Sequence, residues 1–234
     1  MNLTTSMITL AAMKPMWKLW CHLRRVERVF IEDRSALAAI EFAFILPLML
    51  MVFFGTVAFS SGLASARKVT LTASALSDLA SEMQSSGNIA PIADSDLQNM
   101  FTASISIMNP YLQGGSTSVT AQISEIYVDS NGKATYQWNR VATAAPGATQ
   151  ASFATSTHNP GDPVTDLPSA LLVNQTYVIR SDVSYTYQPT IGYGLMAQGG
   201  VLLSDTAYSR PRQATCLVYN GTEPTPVNGA CPLP

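Results

Sequence analysis

A chain of 234 residues has room for one ordinary domain of about 100–200 residues and an additional segment. Charged residues make up 12% of it and hydrophobic ones 47%. Ordinary soluble domains carry about 25% charged residues, so the deficit points to a membrane segment or a Ser/Thr-rich exterior. A formal net charge of -2 leaves no basic surface that would gain from phosphates, which excludes nucleic-acid binding on electrostatic grounds.

The first 34 residues hold Lys14, Lys18, Arg24, Arg25, Arg28 and Arg34 against Glu27, Glu32 and Asp33, a local excess of positive charge. Residues 67–234 are acidic on balance. Between the two, from Ser35 to Ala66, the one charge is Glu41, and Phe42–Phe59 is uncharged and predominantly apolar. About 20 apolar residues cross a bilayer core of about 30 Å, so this run predicts a single transmembrane helix over 37–66. Basic flanks stay on the cytoplasmic side. The leader 1–36 is therefore expected inside and residues 67–234 outside. Pro47 falls within the span and predicts a kink. Ala58, Gly62 and Ala66 form a small-xxx-small ridge, which either receives another helix or is an Ala-rich helix exit. Ala64-Ser65-Ala66 has the form of a signal-peptidase site; cleavage there would release a soluble domain. A carboxylate in an apolar span is costly and usually partnered. Glu41 either lies at headgroup depth near Arg34 or recruits another subunit.

Leu71, Ala75, Leu76 and Leu79 recur at helical spacing, so the helix is expected to run on past the bilayer until Ser85-Ser86-Gly87-Asn88. A second helix is predicted from an N-cap at Asp94 or Ser95, turning Leu97, Met100, Phe101 and Ile105 inward and stopping at Asn109-Pro110. The period then changes to two. Val119, Ala121 and Ile123, then Ile126 and Val128, are followed by Asp129-Ser-Asn-Gly132 and by Ala134, Tyr136 and Trp138. That pattern is a β-hairpin with Asn-Gly at its tip. Further strands are expected at Thr176–Tyr187, Gly200–Ser209 and Cys216–Tyr219. Residues 144–169 have no periodicity and read as a long exposed loop, and 220–234 as a Pro-rich tail. The fold class is α+β: a long N-terminal helix, a second helix and an antiparallel sheet of about four to five strands.

Asp129-x-Asn131-Gly132 opens like a calcium loop, but its twelfth position is Arg140 where such a loop needs a glutamate; the hairpin turn accounts for it. Two histidines, His22 and His158, sit in the leader and the loop, a poor supply for a catalytic or metal cluster. No nucleophile elbow or phosphate-binding glycine loop occurs. Neither an enzyme, a cofactor nor a small-molecule substrate is expected. Cys216 and Cys231 both fall in the exterior part, where disulfides persist. Joined, they would close a loop over 15 positions, worth about 3 kcal/mol in the chain-entropy model. Cys21 is left as a reduced thiol in the leader.

The string Asp33-Arg34-Ser35-Ala36-Leu37-Ala38-Ala39-Ile40-Glu41-Phe42-Ala43-Phe44-Ile45-Leu46-Pro47 resembles the N-terminal motif of TadE-like proteins, pseudopilin or minor-pilin components of tight-adherence (Tad, Flp-type) pilus systems. In that family a basic leader precedes a small residue, then Glu-Phe and a long apolar helix, commonly with a Pro. The stretch from Asp96 to Tyr111 is also similar to the exterior region of alphaproteobacterial members. The resemblance implies a bacterial inner-membrane protein with a periplasmic domain, whose partners are membrane lipid, other pilin-like subunits and the pilus assembly machinery. It further implies prepilin-peptidase cleavage between Ala36 and Leu37, which would make Glu41 the fifth residue of the mature chain, facing the new amine of a neighbouring subunit. Ala36 stands where the family usually has Gly. TadE-like, TadF-like and TadG-like roles are not separated by these residues. The alternatives are an uncleaved bitopic envelope scaffold and the soluble periplasmic domain released after Ala66.

Overall fold

Helix α1 runs without a break from Arg34 to Ser81, 48 residues, or about 72 Å at 1.5 Å per residue. The computed structural model describes residues 34–114, 117–189 and 200–220, without the side chains of 34–36, 113 and 114. The basic leader, Cys21, His22, Cys231 and the Pro-rich tail beyond Asn220 lie outside the described residues. The chain divides into two units, Met1–Thr56 and Val57–Pro234. Within the described part of the first, α1 is exposed on every face from Leu37 onward. Pro47 sits inside the helix, which continues on both sides of it. Among the described residues α1 is the one helix long and apolar enough to cross a membrane.

The second unit is mixed α and β. After the α1 segment from Val57 come β1 (Ile89–Ile92), α2 (Asp94–Ser106), a single helical turn α3 (Tyr111–Gly114), β2 (Val119–Val128), β3 (Ala134–Ala144), β4 (Ser152–Ala154), β5 (Thr176–Tyr187), β6 (Val201–Ser209) and β7 (Cys216–Tyr219). Five strands form an antiparallel sheet in the order β4-β3-β2-β5-β6, and β1 pairs with β7 in a separate parallel two-stranded sheet. The α+β architecture expected from the sequence is the one observed.

Small residues set the helix–sheet distance. Val69, Ala73, Leu76 and Ala80 are buried on one stripe of α1, and Ser and Thr fill the gaps between them. Ser181 Oγ donates to the Ala73 carbonyl at 2.6 Å, and Ser209 Oγ to that of Ser77 at 2.9 Å. Of the residues whose spacing marks the helix, Leu76 is buried, but Leu71 and Leu79 face out. Large side chains on that stripe would hold the sheet too far off for those hydroxyls to reach the helix backbone. Helix α2 covers the same core with Leu97, Met100, Phe101 and Ile105. Its N-cap is Ala93, not Asp94 or Ser95; Asp96 accepts from the Ala93 N–H at 3.0 Å, which leaves the Asp94 carboxylate for another task.

The β2–β3 register slips between Glu125 and Ile126, so that Trp138 pairs with Glu125 while Tyr136 pairs with Ile126. Gln137 is the extra residue of a β-bulge. The alternation Ala134, Tyr136, Trp138 therefore does not lie on one face. Trp138 joins the core under the helices, whereas Ala134 and Tyr136 join Ile126, Val128 and Val178 in a second cluster. That second cluster is completed by Val164 and Leu167. The segment 144–169 is thus not a wholly exposed loop: it pairs β4 with β3 and contributes Ala151, Val164 and Leu167 as buried residues. Its shape is held by isolated polar bonds with no repeat, such as Ser156 Oγ to Asn139 O at 2.7 Å and Thr157 Oγ1 to Gln122 Oε1 at 2.7 Å, which leave no periodic signal.

Candidate functional site

The processing, intramembrane-charge and helix-packing residues singled out in the sequence fall along α1. Ala36 and Leu37 lie in its first turns, with Leu37 exposed, and Glu41 is exposed one turn further on. The side chain of Arg34, its suggested neighbour, lies outside the described ones. Ala58, Gly62 and Ala66 are half-buried. At the first two the ridge is met by this chain's own sheet: Tyr187 Oη donates to the Ala58 carbonyl at 3.2 Å, and a Cβ on Gly62 would stand 3.3 Å from the Tyr187 ring. The ridge, for which the sequence left open a helix-docking face or an Ala-rich helix exit, receives at Ala58 and Gly62 an aromatic side chain from β5.

The sequence reading passed over a buried carboxylate. Glu125 is 1% exposed, beneath β7. Its Oε1 accepts from the Leu217 N–H at 2.6 Å and its Oε2 from Trp138 Nε1 at 3.1 Å, and the same indole N–H reaches the Leu217 carbonyl at 3.0 Å. Burial pushes the Glu125 carboxyl up to about 8, against the pull of the Leu217 and Trp138 donors. The Tyr177 hydroxyl is likewise raised, by burial first and then by Glu125 and Tyr127. The period-two pattern held the clue: Glu125 continues the inward register of Val119, Ala121 and Ile123, where a charge is out of place.

Two further ionic groups pin the sheet. Arg140, 4% exposed, pairs with Asp94 at 3.0 Å and lies 4.1 Å over the Phe153 ring. Asp94 also accepts from Tyr219 Oη at 2.6 Å, so α2, β3 and β7 meet at one carboxylate. On the other side of the sheet Arg180 binds Asp182 and Asp166. Burial works against the Arg180 charge, but Asp182 and then Asp166 hold its pKa above the usual value. Asp129, first of the calcium-like string, uses its Oδ1 to accept from the Asn131 and Lys133 N–H groups at 2.8 Å each, an Asx turn at the hairpin tip. Among the described residues no group of three or more His, Cys, Asp or Glu side chains converges as a metal site would require. Cys216 is disulfide-bonded, and its partner lies outside the described residues.

Chemically, these groups hold strands together. The Glu125, Arg140 and Arg180 clusters have their polar atoms turned onto protein neighbours, and each joins elements distant in sequence. The exposed part is α1 before Ala58, with its long apolar run and its early glutamate.

Residues 37–76 match the family model described as TadE-like protein. The matched stretch lies wholly within α1 and covers less than a fifth of the chain. The match implies involvement in Tad pilus assembly, and with the long apolar helix it suggests membrane anchoring. No match was found among curated proteins, and none among solved structures.

Proposed function

We propose that this chain, with its TadE-like segment at 37–76, is a pseudopilin-like component of a Tad-type pilus assembly system. It sits in the bacterial inner membrane with the N-terminus in the cytoplasm and residues 67–234 in the periplasm, and acts through helix–helix and domain–domain contacts. The carrying observation is that the family match falls on one unbroken helix with Glu41 at the start of its uncharged run. A carboxylate at that position gains from a cationic partner. Cleavage between Ala36 and Leu37 would supply one, as the free amine of a neighbouring subunit. Helix association then rests on Glu41, Pro47 and the exposed apolar surface before Ala58, since Tyr187 occupies the ridge at Ala58 and Gly62.

Release by signal peptidase after Ala66 fits less well. The cut would fall in mid-helix and discard Ala58, Gly62 and the buried Ser65, which pack within the second unit.

The test is the N-terminal residue and intact mass of the protein purified from membranes of its native host. A start at Leu37 supports the pseudopilin reading. A start at Met1 favours the uncleaved bitopic scaffold, and a start at Arg67 the soluble domain. Glu41→Gln in the cleaved protein is expected to impair pilus assembly; unimpaired filaments would remove the role given to Glu41.

A further inference from the structure

Strand β7 stands outside the five-stranded sheet, and its centre rests on a carboxylate. Its ladder partner β1 is four residues long and contains Pro91, which has no N–H to give. Strand β2, by contrast, is paired along its length on both sides. Beyond its short ladder, β7 is held by side chains. The Leu217 N–H donates to Glu125 Oε1 at 2.6 Å, and the Leu217 carbonyl accepts from Trp138 Nε1 at 3.0 Å. The Tyr219 ring stacks on Trp138 with centroids 5.8 Å apart, and its hydroxyl donates to Asp94. Ahead of the strand Arg212 is fixed to the end of α1: its N–H donates to the Ser81 carbonyl, and its guanidinium pairs with Asp78 and Glu82. Residues 213–215, which belong to no helix or strand, separate that anchor from β7.

Glu125 is the group that the closed strand seals. Each of its oxygens accepts one N–H, and among the described residues no cation pairs with it. At the Cys216 end of β7 its titratable neighbours are Tyr177 and Tyr127, whose rings lie 4.8 Å apart. Burial raises the Tyr177 hydroxyl, which therefore stays neutral. At the Tyr219 end Arg140 on β3 is taken up by Asp94 of α2 at 3.0 Å. On α1, Asp78 and Glu82 bind Arg212, and Lys68 binds the carbonyls of Ile107 and Asn109. An ionised carboxylate without a cation is costly to bury, and burial holds this one at about 8. Lifting the strand would return it to water and to its ordinary 4.5. Between those values the closed form keeps a proton that the open form releases. Opening therefore becomes about tenfold easier with each pH unit across the window, and levels off above about 8.

We propose that β7 is a proton-held strap: the protonated Glu125 side chain keeps it closed, and loss of that proton frees Leu217–Tyr219 while the five-stranded sheet beneath stays paired. Opening uncovers the Trp138 indole and the backbone of β1, and closing hides both again. The sheet survives because none of its ladders includes β7. The strap belongs to the second unit alone, so it stands or falls apart from the pilus reading.

Hydrogen exchange of the full-length protein in phospholipid vesicles, read by mass spectrometry from pH 5 to pH 9, tests this. Each rate is divided by the intrinsic amide rate at the same pH. Protection of 217–219 is expected to fall about tenfold per pH unit up to about 8 and then to hold level. Protection of 119–123 on β2 should stay at least about tenfold higher throughout. In Glu125→Gln the protection of 217–219 should no longer depend on pH. A flat wild-type profile overturns the proposal, as does the same slope in Glu125→Gln. Equal loss of protection at 119–123 and 217–219 also overturns it, because the whole unit would then be opening. A second variant, Tyr219→Phe, loses the bond to Asp94 and should lower protection of β7 by one factor at every pH with the slope kept. Disappearance of the slope there would assign the pH dependence to the Tyr219–Asp94 contact and overturn the role of Glu125.

Discussion

Replacing Glu125 by Gln is expected to change the pH dependence of folding stability more than its level. In the folded chain burial holds this carboxyl at about 8, against an ordinary value of 4.5. The folded state therefore binds the proton more tightly than the unfolded chain does. Between those two values the unfolded state releases a proton that the folded state keeps, so stability is greatest below about pH 4.5 and declines as pH rises through about 8. The gap of about 3.5 pH units, at about 1.36 kcal/mol each, corresponds to about 5 kcal/mol across the whole window. For a chain of this size 1 kcal/mol moves the midpoint by about 2–4 °C, which makes a total of about 10–20 °C. Thermal unfolding of the full-length protein in vesicles, followed from pH 5 to pH 9 by tryptophan fluorescence, is the assay. Glu125→Gln keeps one acceptor for the Leu217 N–H but turns an amide donor toward Trp138 Nε1, so its midpoint at pH 5 should fall by about 1–3 kcal/mol. What identifies Glu125 is the difference between wild type and variant: it should shrink, and then reverse, as pH rises. Parallel wild-type and variant curves over that range would refute the reasoning, since the carboxyl would then not be titrating in the window burial assigns to it.

Four other outcomes follow from the packing. Asp94→Ala strands the 4%-exposed Arg140 and is expected to cost as much as about 3–5 kcal/mol; Asp78→Ala, which loses only the exposed Arg212 contact, should cost under about 1 kcal/mol, both read by denaturant midpoint. Gly200→Ala puts a Cβ 2.7 Å from the Tyr187 carbonyl oxygen at a φ of +70°, and should destabilise the β5–β6 pair by more than the about 1 kcal/mol of an ordinary left-handed position, seen as faster hydrogen exchange in β6. Gly62→Leu should push Tyr187 off the helix at about 1–3 kcal/mol, and Tyr187→Phe should cost about 0.5–1.5 kcal/mol for its hydroxyl bond to Ala58; limited proteolysis of the variants ranks them. Peptide mapping without reductant is expected to find Cys216 joined to Cys231, and a Cys216–Cys21 peptide would defeat that pairing.

Strong local periodicity made much of this fold legible from the sequence. Helix α2 could be read from Leu97, Met100, Phe101 and Ile105, and strands β2, β3, β5 and β7 from alternation and turn residues, because each of these signals lies within about a dozen residues. What escaped depends on distant neighbours. Strand β1 is four residues long and includes Pro91, which cannot donate a ladder hydrogen bond; it exists because β7 lies alongside, with Pro91 opposite Val218. The bulge at Gln137 carries no glycine to announce it, and it moves Tyr136 and Trp138 to opposite faces. The buried stripe of α1 is hard to read because leucines outweigh alanines on any hydrophobicity count, whereas close approach to the sheet selects Ala73 and Ala80. The functional residues divide in the same way. Glu41 stands out as a lone charge in an apolar run, while Tyr187 looks like any strand tyrosine until its ring is seen against Gly62.

The docking of β7 also bears on when the fold can be finished. Chains are made from the N-terminus, and Cys216–Tyr219 is the last strand of the described residues. Until it arrives, β1 has no partner, Trp138 has no Tyr219 to stack on, and Glu125 lacks the Leu217 N–H that its carboxylate accepts from in the finished fold. The chain must therefore be synthesised through Tyr219 before this interior is sealed. A product truncated shortly before Cys216 would keep α1 and most of its sheet, and would display an uncovered tryptophan and an uncovered carboxyl to any quality-control protease.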